Sequence, residues 1–272
     1  MTLEEMCEEL RKRPGRSGNC IKETTVQKYL ETVSSVLEDA KKNDIIPFNP
    51  AHRVRKKNFE KEVQHIPQKY EMRKLMQTIR DEPILYRAYY TLAITTGLRR
   101  GEACGLKWSD INWRKRTIHV QRGVVKLSHQ ESITKDPKTT SGDRMVYLSK
   151  EMCQLLKAWR KECEWDRAQT ANETVSEDDY LFRQPNGKPM CPSTFTYRFK
   201  LILKANNLPL DLNVHSLRHT NASLLIAQGV DVRTVASLLG HAQASTTLDI
   251  YAHAFDKNKR KAQEKLGKAI GI

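Results

Sequence analysis

The side chains with the clearest chemical potential are a series of basic and imidazole groups followed by one tyrosine. They occur in the order Arg99, Lys138, His215, Arg218, His241 and Tyr251. Guanidinium groups bind phosphate through a planar fork and keep their charge at neutral pH. A phenol can attack phosphorus when a nearby base accepts its proton. Together these groups predict a site that binds a phosphodiester, stabilises the charge developed during attack and supplies a nucleophile.

Several neighbouring residues compete with these candidates or support them. Glu102 lies three residues after Arg99, a spacing at which helical side chains can pair, and is predicted to support the site. Arg100, directly after Arg99, could serve equally well, and it is also a candidate DNA-binding residue. Lys135 precedes Lys138 by three residues and is its rival as proton donor, although we prefer Lys138.

The histidines also raise the question of a metal site. His215 and His219 are four residues apart, and His241 follows them. No His-Glu-x-x-His motif and no aspartate cluster accompanies them, so His219 is predicted to support the site without binding metal. Two arginines can replace the divalent cation of many nucleases. No Gly-x-x-x-x-Gly-Lys-Ser/Thr loop is present, so we expect neither a metal nor another cofactor.

The composition points to a polyanionic partner. The 272 residues include 47 Lys and Arg against 32 Asp and Glu, which gives a formal net charge of +15. Such a surface attracts duplex DNA, and a mere solubility effect is the alternative that we consider weaker. The length is enough for one large domain or two smaller ones, and the hydrophobic content of 39% is enough for a core.

The cysteine spacing and the hydropathy of the chain indicate its expected cellular compartment. None of the six cysteines forms a Cys-x-x-Cys pair, which favours reduced thiols. No apolar run has membrane-spanning length, and the acidic start is not typical of a signal peptide. We therefore expect a soluble cytoplasmic protein with no membrane partner; the family resemblance described below implies a bacterial, nucleoid-associated one.

Apolar periodicity predicts a mostly helical chain with a small β-region. A first helix starts with Thr2 and Glu5 in capping-box spacing, and a second begins near Thr25 and ends before Pro47. Strands are predicted over 117–120 and 124–127, twice more within 133–148, and as a short strand at 180–182. Further helices are predicted over 70–80, 84–95, 100–106, 149–169, 193–205, 215–228, 232–239 and 245–254.

A basic run separates two parts of the chain. It contains the DNA-binding candidates Arg53, Arg55, Lys56 and Lys57. Such a run can be a solvated face or a strap that contacts phosphates, and the sequence favours neither. We expect a helical DNA-binding region over 1–57, a basic linker over 58–66, a catalytic domain over 67–255 and a tail over 256–272.

The order of the motifs resembles the tyrosine recombinases, or phage integrase family. These motifs are Thr-Gly-Leu-Arg-x-x-Glu, Lys-Thr, His-x-Leu-Arg-His-Thr, Leu-Gly-His and Thr-Thr-x-x-x-Tyr-x-His. The ten-residue step from His241 to Tyr251 is similar to integrases of Gram-positive phages and conjugative transposons. The resemblance implies a mainly α fold (α+β) with a small antiparallel β-sheet, preceded by a helical core-binding domain. Residues 1–57 are short for that domain, so we expect it to be incomplete.

The resemblance also implies a role for each residue. Arg99 and Arg218 match the arginines that hold the scissile phosphate, and Lys138 matches the lysine that protonates the leaving 5′ oxygen. His215 matches the acceptor of the nucleophile's proton. His241 matches a hydrogen-bond donor to a non-bridging oxygen, and Tyr251 matches the nucleophile. The other tyrosines, Tyr147, Tyr180 and Tyr197, lack the surrounding motif and are expected to pack in the interior.

The implied function is site-specific DNA recombination for integration or excision of a mobile element. It proceeds through a covalent 3′-phosphotyrosyl intermediate on double-stranded DNA, without a cofactor. The implied assembly is a homo-oligomer, with a dimer at each site and a tetrameric synapse, an accessory directionality factor, and a tail exchanged between protomers. The alternatives are a type IB-like topoisomerase or a resolvase, a DNA-binding protein without catalysis, and a metal-dependent nuclease.

Overall fold

The computed structural model describes residues 2–15, 18–55, 57–58, 67–126, 132–135, 142–170, 173–240 and 266. The chain divides into two compact units, Met1–Val63 and Gln64–Ile272. Each unit is described by itself below.

The first unit is a small helical module with its own core. Helix α1 (Leu3–Lys12) begins with the predicted capping box, in which the Thr2 amide donates to Glu5 at 2.8 Å. Helix α2 (Glu23–Lys42) follows, and a 3₁₀ helix (Pro50–Arg53) packs against it. Cys7, Val26, Leu30 and Ala51 form the buried centre. Both predicted helices are confirmed.

Both ends of the basic run, Arg53 and Lys57, contact residues of this unit. The Arg53 guanidinium lies over the Phe48 ring, 4.3 Å from its centroid. The Lys57 ammonium is 3.0 Å from a carboxylate oxygen of Glu8, and the Gln27 amide donates to the Lys57 carbonyl at 2.9 Å. Residues 58–66 contain one lysine and two glutamates, so the predicted linker is not itself basic.

The second unit is built around a helix that is buried on nearly all sides. Its helices are α3 (Lys69–Arg80), α4 (Ile84–Thr96), α5 (Arg100–Gly105), α6 (Lys150–Thr170), α7 (Pro192–Ala205), α8 (Val214–Ala227) and α9 (Val232–Leu239). Helix α4 is the central one, because it packs against α3, α5, α6 and α8. The Tyr89 ring stacks on Phe195 of α7, and the Tyr90 hydroxyl donates to the Phe195 carbonyl at 2.8 Å. These contacts fix α7 against α4.

Within the described residues, the strands of the second unit form two small antiparallel sheets. The strands are β1 (Ile111–Asn112), β2 (Thr117–Val120), β3 (Gly123–Lys126), β4 (Ser132–Lys135) and β5 (Arg144–Tyr147). One sheet has the order β1-β2-β5, and the other is the hairpin β3-β4. Ile118 pairs with Val146, and both side chains face the core. The predicted fold class, mainly α with a small antiparallel sheet, is therefore confirmed.

Some local predictions differ from the structure. Strand β1 was not predicted, since two residues are too few to show alternation. The segment 180–182 forms no strand: it contains one isolated bridge, between Tyr180 and Lys107, and a second bridge, between Arg183 and Pro189, lies just beyond it. The predicted helix over 245–254 and the tail lie outside the described residues, Leu266 excepted. In the described parts, no helix combines the length and the apolarity needed to cross a membrane.

Candidate active site

The turn between α4 and α5 places Arg99. Gly97 ends α4 with a left-handed φ of 65°. A Cβ atom at this position would lie 2.5 Å from Leu239 Cδ2 and 3.0 Å from Asn221 Oδ1. The turn therefore requires glycine for both its φ and its space. Arg99 then precedes α5, and its side chain remains 44% exposed.

Glu102 in the first turn of α5 is shared by two arginines. Its carboxylate accepts from Arg99 Nη1 at 2.6 Å and from Arg144 Nη2 at 2.9 Å. It also accepts from the backbone amide of Arg99 at 2.9 Å. Burial alone would raise the pKa of Glu102, but the hydrogen bond and charge of Arg144, with those of Arg99, lower it below its usual value. Glu102 is therefore a fixed anion that orients both guanidiniums.

Helix α8 supplies the second arginine and two histidines. The Asn213 side chain caps the helix by accepting from the backbone amides of His215 and Ser216. Arg218 follows one turn later, and its Nη1 donates to the Gly97 carbonyl at 2.7 Å. His219 is 6% exposed, and its ring meets that of His215 edge-on at 4.6 Å.

The surroundings of His215 lower its pKa and so favour the neutral imidazole. Its side chain reaches the surface, yet the surrounding protein desolvates the imidazole. This desolvation, together with the charges of Arg218, Arg99 and Arg100, lowers its pKa below 6.5. A neutral imidazole can accept a proton, as the role implied for His215 requires.

Three arginines meet at the C-terminal end of α9. Arg144 Nε donates to the Leu238 carbonyl at 2.8 Å. Arg218 Nη2 donates to the Leu239 carbonyl at 2.6 Å, and Arg99 Nη2 to the Gly240 carbonyl at 3.0 Å. Carbonyls at a helix C-terminus lack intrahelical donors and carry partial negative charge, which these guanidiniums neutralise. We call Arg99, Arg144 and Arg218 the arginine cluster.

The members of the arginine cluster differ in their access to solvent. Arg218 is 2% exposed as a residue, and the Arg144 side chain is 7% exposed. Arg218 is therefore shielded from solvent, whereas the Arg99 side chain is 44% exposed and can meet a phosphate directly.

The β3–β4 hairpin lies against α5. Gly101 of α5 approaches the hairpin so closely that an added Cβ would lie 2.5 Å from the Val124 carbonyl oxygen. The Thr134 and Tyr180 hydroxyls lie 3.1 Å apart and connect β4 to the rest of the unit. Lys135 lies in β4 opposite Gly123, and the preferred proton donor follows three residues later.

The structure therefore brings together Arg99, Glu102, His215, Arg218 and His219. Arg100 begins α5 and is exposed. Arg53, Arg55 and Lys57 belong to the first unit, where Arg55 is exposed. The predicted residues outside the described part of the chain are Lys56, Lys138, His241 and Tyr251.

The expectation of buried packing is wrong for two of the other tyrosines. Tyr147 is 73% exposed and Tyr197 is 70% exposed. Tyr147 lies in a strand with only one face on the core, and Tyr197 lies on the outer side of α7. Tyr180 is half-buried, under the Lys107 ammonium.

Arg144 was not predicted to be part of the site. The available signal was the period of two along β5, since Arg144 shares a face with the buried Val146. An arginine in phase with a buried valine indicates an inward-facing charge that needs a partner.

The arrangement is suited to binding an anion. Three arginines against one glutamate leave these four side chains with a net charge of 3 − 1 = +2. Within the described residues, no three His, Cys, Asp or Glu side chains are grouped so that they could hold a metal ion. Fixed guanidiniums can stabilise charge on the non-bridging oxygens of a phosphodiester.

Comparison with solved structures defines the fold. The structure resembles the Tn1549 transposon integrase in complex with transposon right-end DNA, with a TM-score of 0.77. The match covers 96% of this chain and 84% of that one at 22% identity. The fold is thus that of a tyrosine recombinase. The phage integrase family model matches residues 67–258, and the chain belongs to this family.

Curated relatives include integrases and recombinases. The chain is 29% identical over 242 residues to the ICEBs1 integrase of Bacillus subtilis (strain 168), covering 89% of this chain. It is 29% identical over 235 residues to a XerC-like tyrosine recombinase of Caldanaerobacter subterraneus subsp. tengcongensis, covering 83% of this chain. The chain spans 65% and 58% of the lengths of these two relatives.

Proposed function

We propose that the chain is a site-specific DNA recombinase that integrates or excises a mobile element. The observation that carries this proposal is the convergence of Arg99 and Arg218 on adjacent carbonyls at one helix end, with His215 one turn before Arg218. Membership of the phage integrase family supports it, as do the names of the relatives. Double-stranded DNA is the proposed substrate.

The proposed reaction needs no external energy source. Arg99 and Arg218 hold the scissile phosphate, and the neutral imidazole of His215 accepts the phenolic proton of Tyr251. The Tyr251 oxygen bonds to phosphorus as the bond to the 5′ oxygen breaks, and Lys138 gives that oxygen a proton. His241 donates a hydrogen bond to a non-bridging oxygen.

The product is a 3′-phosphotyrosyl ester and a free 5′ hydroxyl. Attack by the 5′ hydroxyl of another strand reverses the step and releases the tyrosine. The number of phosphoester bonds is unchanged, so neither ATP nor a metal is required. A free phenol has a pKa of about 10, which is why a base and cations must surround it.

The two units receive distinct proposed roles. Residues 1–57 contact the core site, with Arg53, Arg55, Lys56 and Lys57 as phosphate contacts, and 58–66 link them to a catalytic domain over 67–255. We also propose that the protein forms a dimer at each site and a tetrameric synapse in which the tail 256–272 is exchanged between protomers. An accessory directionality factor takes part, and the protein acts at the bacterial nucleoid. Loss of cooperative assembly on paired sites after deletion of 256–272 would support this; unchanged assembly would contradict it.

Trapping of the covalent intermediate tests the proposed function. The target is first obtained by selecting bound sequences from random duplexes, and a nick near the cleavage point then prevents religation. Wild-type protein should accumulate a covalent protein–DNA complex, and Tyr251→Phe should not. Tyr197→Phe is the matched control, because this tyrosine is exposed on α7 and should leave trapping unchanged.

Other outcomes identify other functions. A covalent complex formed by Tyr251→Phe would show that the nucleophile is a different residue. Relaxation of a supercoiled plasmid that lacks the selected sequence would indicate a topoisomerase. Binding without any trapping by the wild type would indicate a DNA-binding protein without catalysis.

A further inference from the structure

Arg144 is the member of the arginine cluster for which the proposed mechanism has no role. It begins β5, and its side chain is 7% exposed. Its Nη2 and Nη1 donate to Glu102 at 2.9 and 3.3 Å, and its Nε donates to the Leu238 carbonyl at 2.8 Å. A single guanidinium thus ties together a strand, the first turn of α5 and the last turn of α9.

We propose that Arg144 is a positioning residue for strand cleavage. It aligns the end of α9 with Glu102, and through Glu102 it sets the direction of the Arg99 guanidinium. The chain continues from Gly240 directly to His241 and, ten residues later, to Tyr251. The alignment therefore sets where the chain leaves α9 toward both residues. This inference rests on the proposed recombinase function.

Burial distinguishes this role from that of a phosphate contact. The Arg99 side chain is 44% exposed and can meet a phosphate directly. Arg144 is enclosed, and its fork and its Nε are already directed at Glu102 and Leu238. When a phosphate draws donors of Arg99 and Arg218 away from Gly240 and Leu239, Arg144 still holds the helix end.

Among the described residues, the apolar cluster that holds α9 is small, which makes a polar anchor important. Its buried partners on α8 are Ala222 and Ile226, which meet Val235 and Leu239. The cluster is small, and Gly240 follows with a left-handed φ of 67°. Misplacement of reacting groups by about 1 Å can reduce a rate about 100-fold.

Lysine cannot replace arginine here. An ammonium is a single point of charge, whereas the guanidinium presents a planar fork with an additional Nε donor. Arg144→Lys would keep the charge beside Glu102 but could not reach both Glu102 and the Leu238 carbonyl. The substitution therefore separates alignment from charge.

Arg198→Lys is the matched control. Arg198 of α7 also pairs with a glutamate through two nitrogens, since Nε and Nη2 lie 2.9 and 2.6 Å from Glu82. This pair is in the same unit and lies outside the arginine cluster. Arg198→Lys loses the guanidinium fork just as Arg144→Lys does, but this loss should affect neither the exchange of α9 nor the rate of cleavage.

The experiment compares three readouts in wild type, Arg144→Lys and Arg198→Lys. These are hydrogen exchange of the amides of α9, affinity for the selected duplex, and the rate of covalent trapping on its nicked form. For Arg144→Lys we expect faster exchange in α9, affinity within about 3-fold, and trapping about 10- to 100-fold slower. Arg198→Lys should match wild type in all three.

Several results would overturn the proposal. Unchanged hydrogen exchange in α9, or an unchanged trapping rate, for Arg144→Lys would do so. So would a loss of duplex affinity as large as the loss of trapping rate, which would indicate a phosphate contact. An effect of Arg198→Lys as large as that of Arg144→Lys would also overturn it. If Arg144→Lys does not fold, Arg144→Gln takes its place, and failure of both would show that Arg144 serves folding alone. Absence of trapping by wild type would refute the recombinase function, whereas hydrogen exchange would still test the anchoring of α9.

Discussion

Three glycines at the contact between α5 and the β3–β4 hairpin allow a graded perturbation of the hairpin. A Cβ added at Gly101 would lie 2.5 Å from the Val124 carbonyl oxygen, and one added at Gly105 would lie 3.2 Å from atoms of Arg122. A Cβ added at Gly123 would have the Glu102 amide nitrogen as its nearest neighbour, at 3.8 Å, which is an ordinary contact. Alanine at these positions should therefore perturb the structure in the order 101, 105, 123.

The magnitude follows from these distances. Ordinary contact begins at 3.4 Å, so Gly101→Ala requires a shift of 3.4 − 2.5 = 0.9 Å. A strand carbonyl cannot swing aside as a flexible side chain can, so the strand or the helix must move. Overpacking costs up to about 3 kcal/mol, and alanine in a helix gains about 1 kcal/mol over glycine. The net loss of about 2 kcal/mol should lower Tm by about 4–8 °C in a unit of this size.

The displacement should affect cleavage more than stability. Strand β4 ends at Lys135, and Lys138 follows it three residues later. A displacement of nearly 1 Å at the hairpin should therefore reduce the rate of covalent trapping about 100-fold. Gly105→Ala should have a smaller effect on both quantities.

Thermal unfolding and trapping on a nicked duplex, measured on the three alanine variants, test this reasoning. Gly123→Ala is the matched control at the same interface, and it should change stability by no more than about 0.5 kcal/mol. If Gly101→Ala resembles Gly123→Ala in both measurements, α5 does not position the hairpin. A reversed order of the three would equally refute the steric argument.

Three further predictions concern the arginine cluster and its neighbours. Glu102→Gln should lower the free energy of unfolding at neutral pH by about 3 kcal/mol, as for a broken buried ion pair. The pKa of Glu102 is lowered in the folded state, so the difference in free energy of unfolding between wild type and Glu102→Gln should shrink as pH falls below about 4. Denaturant titrations at several pH values measure this difference. Because the pKa of His215 is also lowered, cleavage should persist below pH 6.5 and be lost only when the imidazole is protonated; a rate–pH profile that declines from a higher pH would contradict this. Gly97→Ala should destabilise by more than about 1 kcal/mol in urea unfolding, since its φ of 65° and its contact with Leu239 both oppose a side chain; equal stability would contradict the account of this turn.

Much of the fold was predictable because local sequence and tertiary environment agree. The capping box at Thr2, the apolar spacing of α2 and the proline after it all point to the observed helices. In the second unit, α4 has a continuous apolar surface that matches its buried position. The separation of the strands into two sheets was not predictable, since it depends on how the hairpin packs on Gly101.

The candidate site was predictable where a residue's role depends on its own motif. Arg99, His215 and Arg218 were identified in this way, and the structure places the two arginines at one helix end with His215 one turn before Arg218. Arg144 was not, because its role depends on β5 lying beside α9, a contact between elements about 90 residues apart in sequence. The burial of Arg218 was equally invisible in the sequence.

The carbonyls at the end of α9 help to hold the arginine cluster in place. Leu238, Leu239 and Gly240 supply neutral acceptors for one donor of each arginine in the cluster. A phosphate is a stronger acceptor, because hydrogen bonds between ionised groups are about twice as strong as neutral ones. Under the proposed function, we expect a phosphate to replace these carbonyls as the acceptor for Arg99 and Arg218, which leaves the end of α9 with fewer bonds. The end of the helix then depends on Arg144, whose donors are enclosed and directed at Glu102 and Leu238. The same substitution, Arg144→Lys, should accordingly perturb α9 more in the presence of the selected duplex than in its absence.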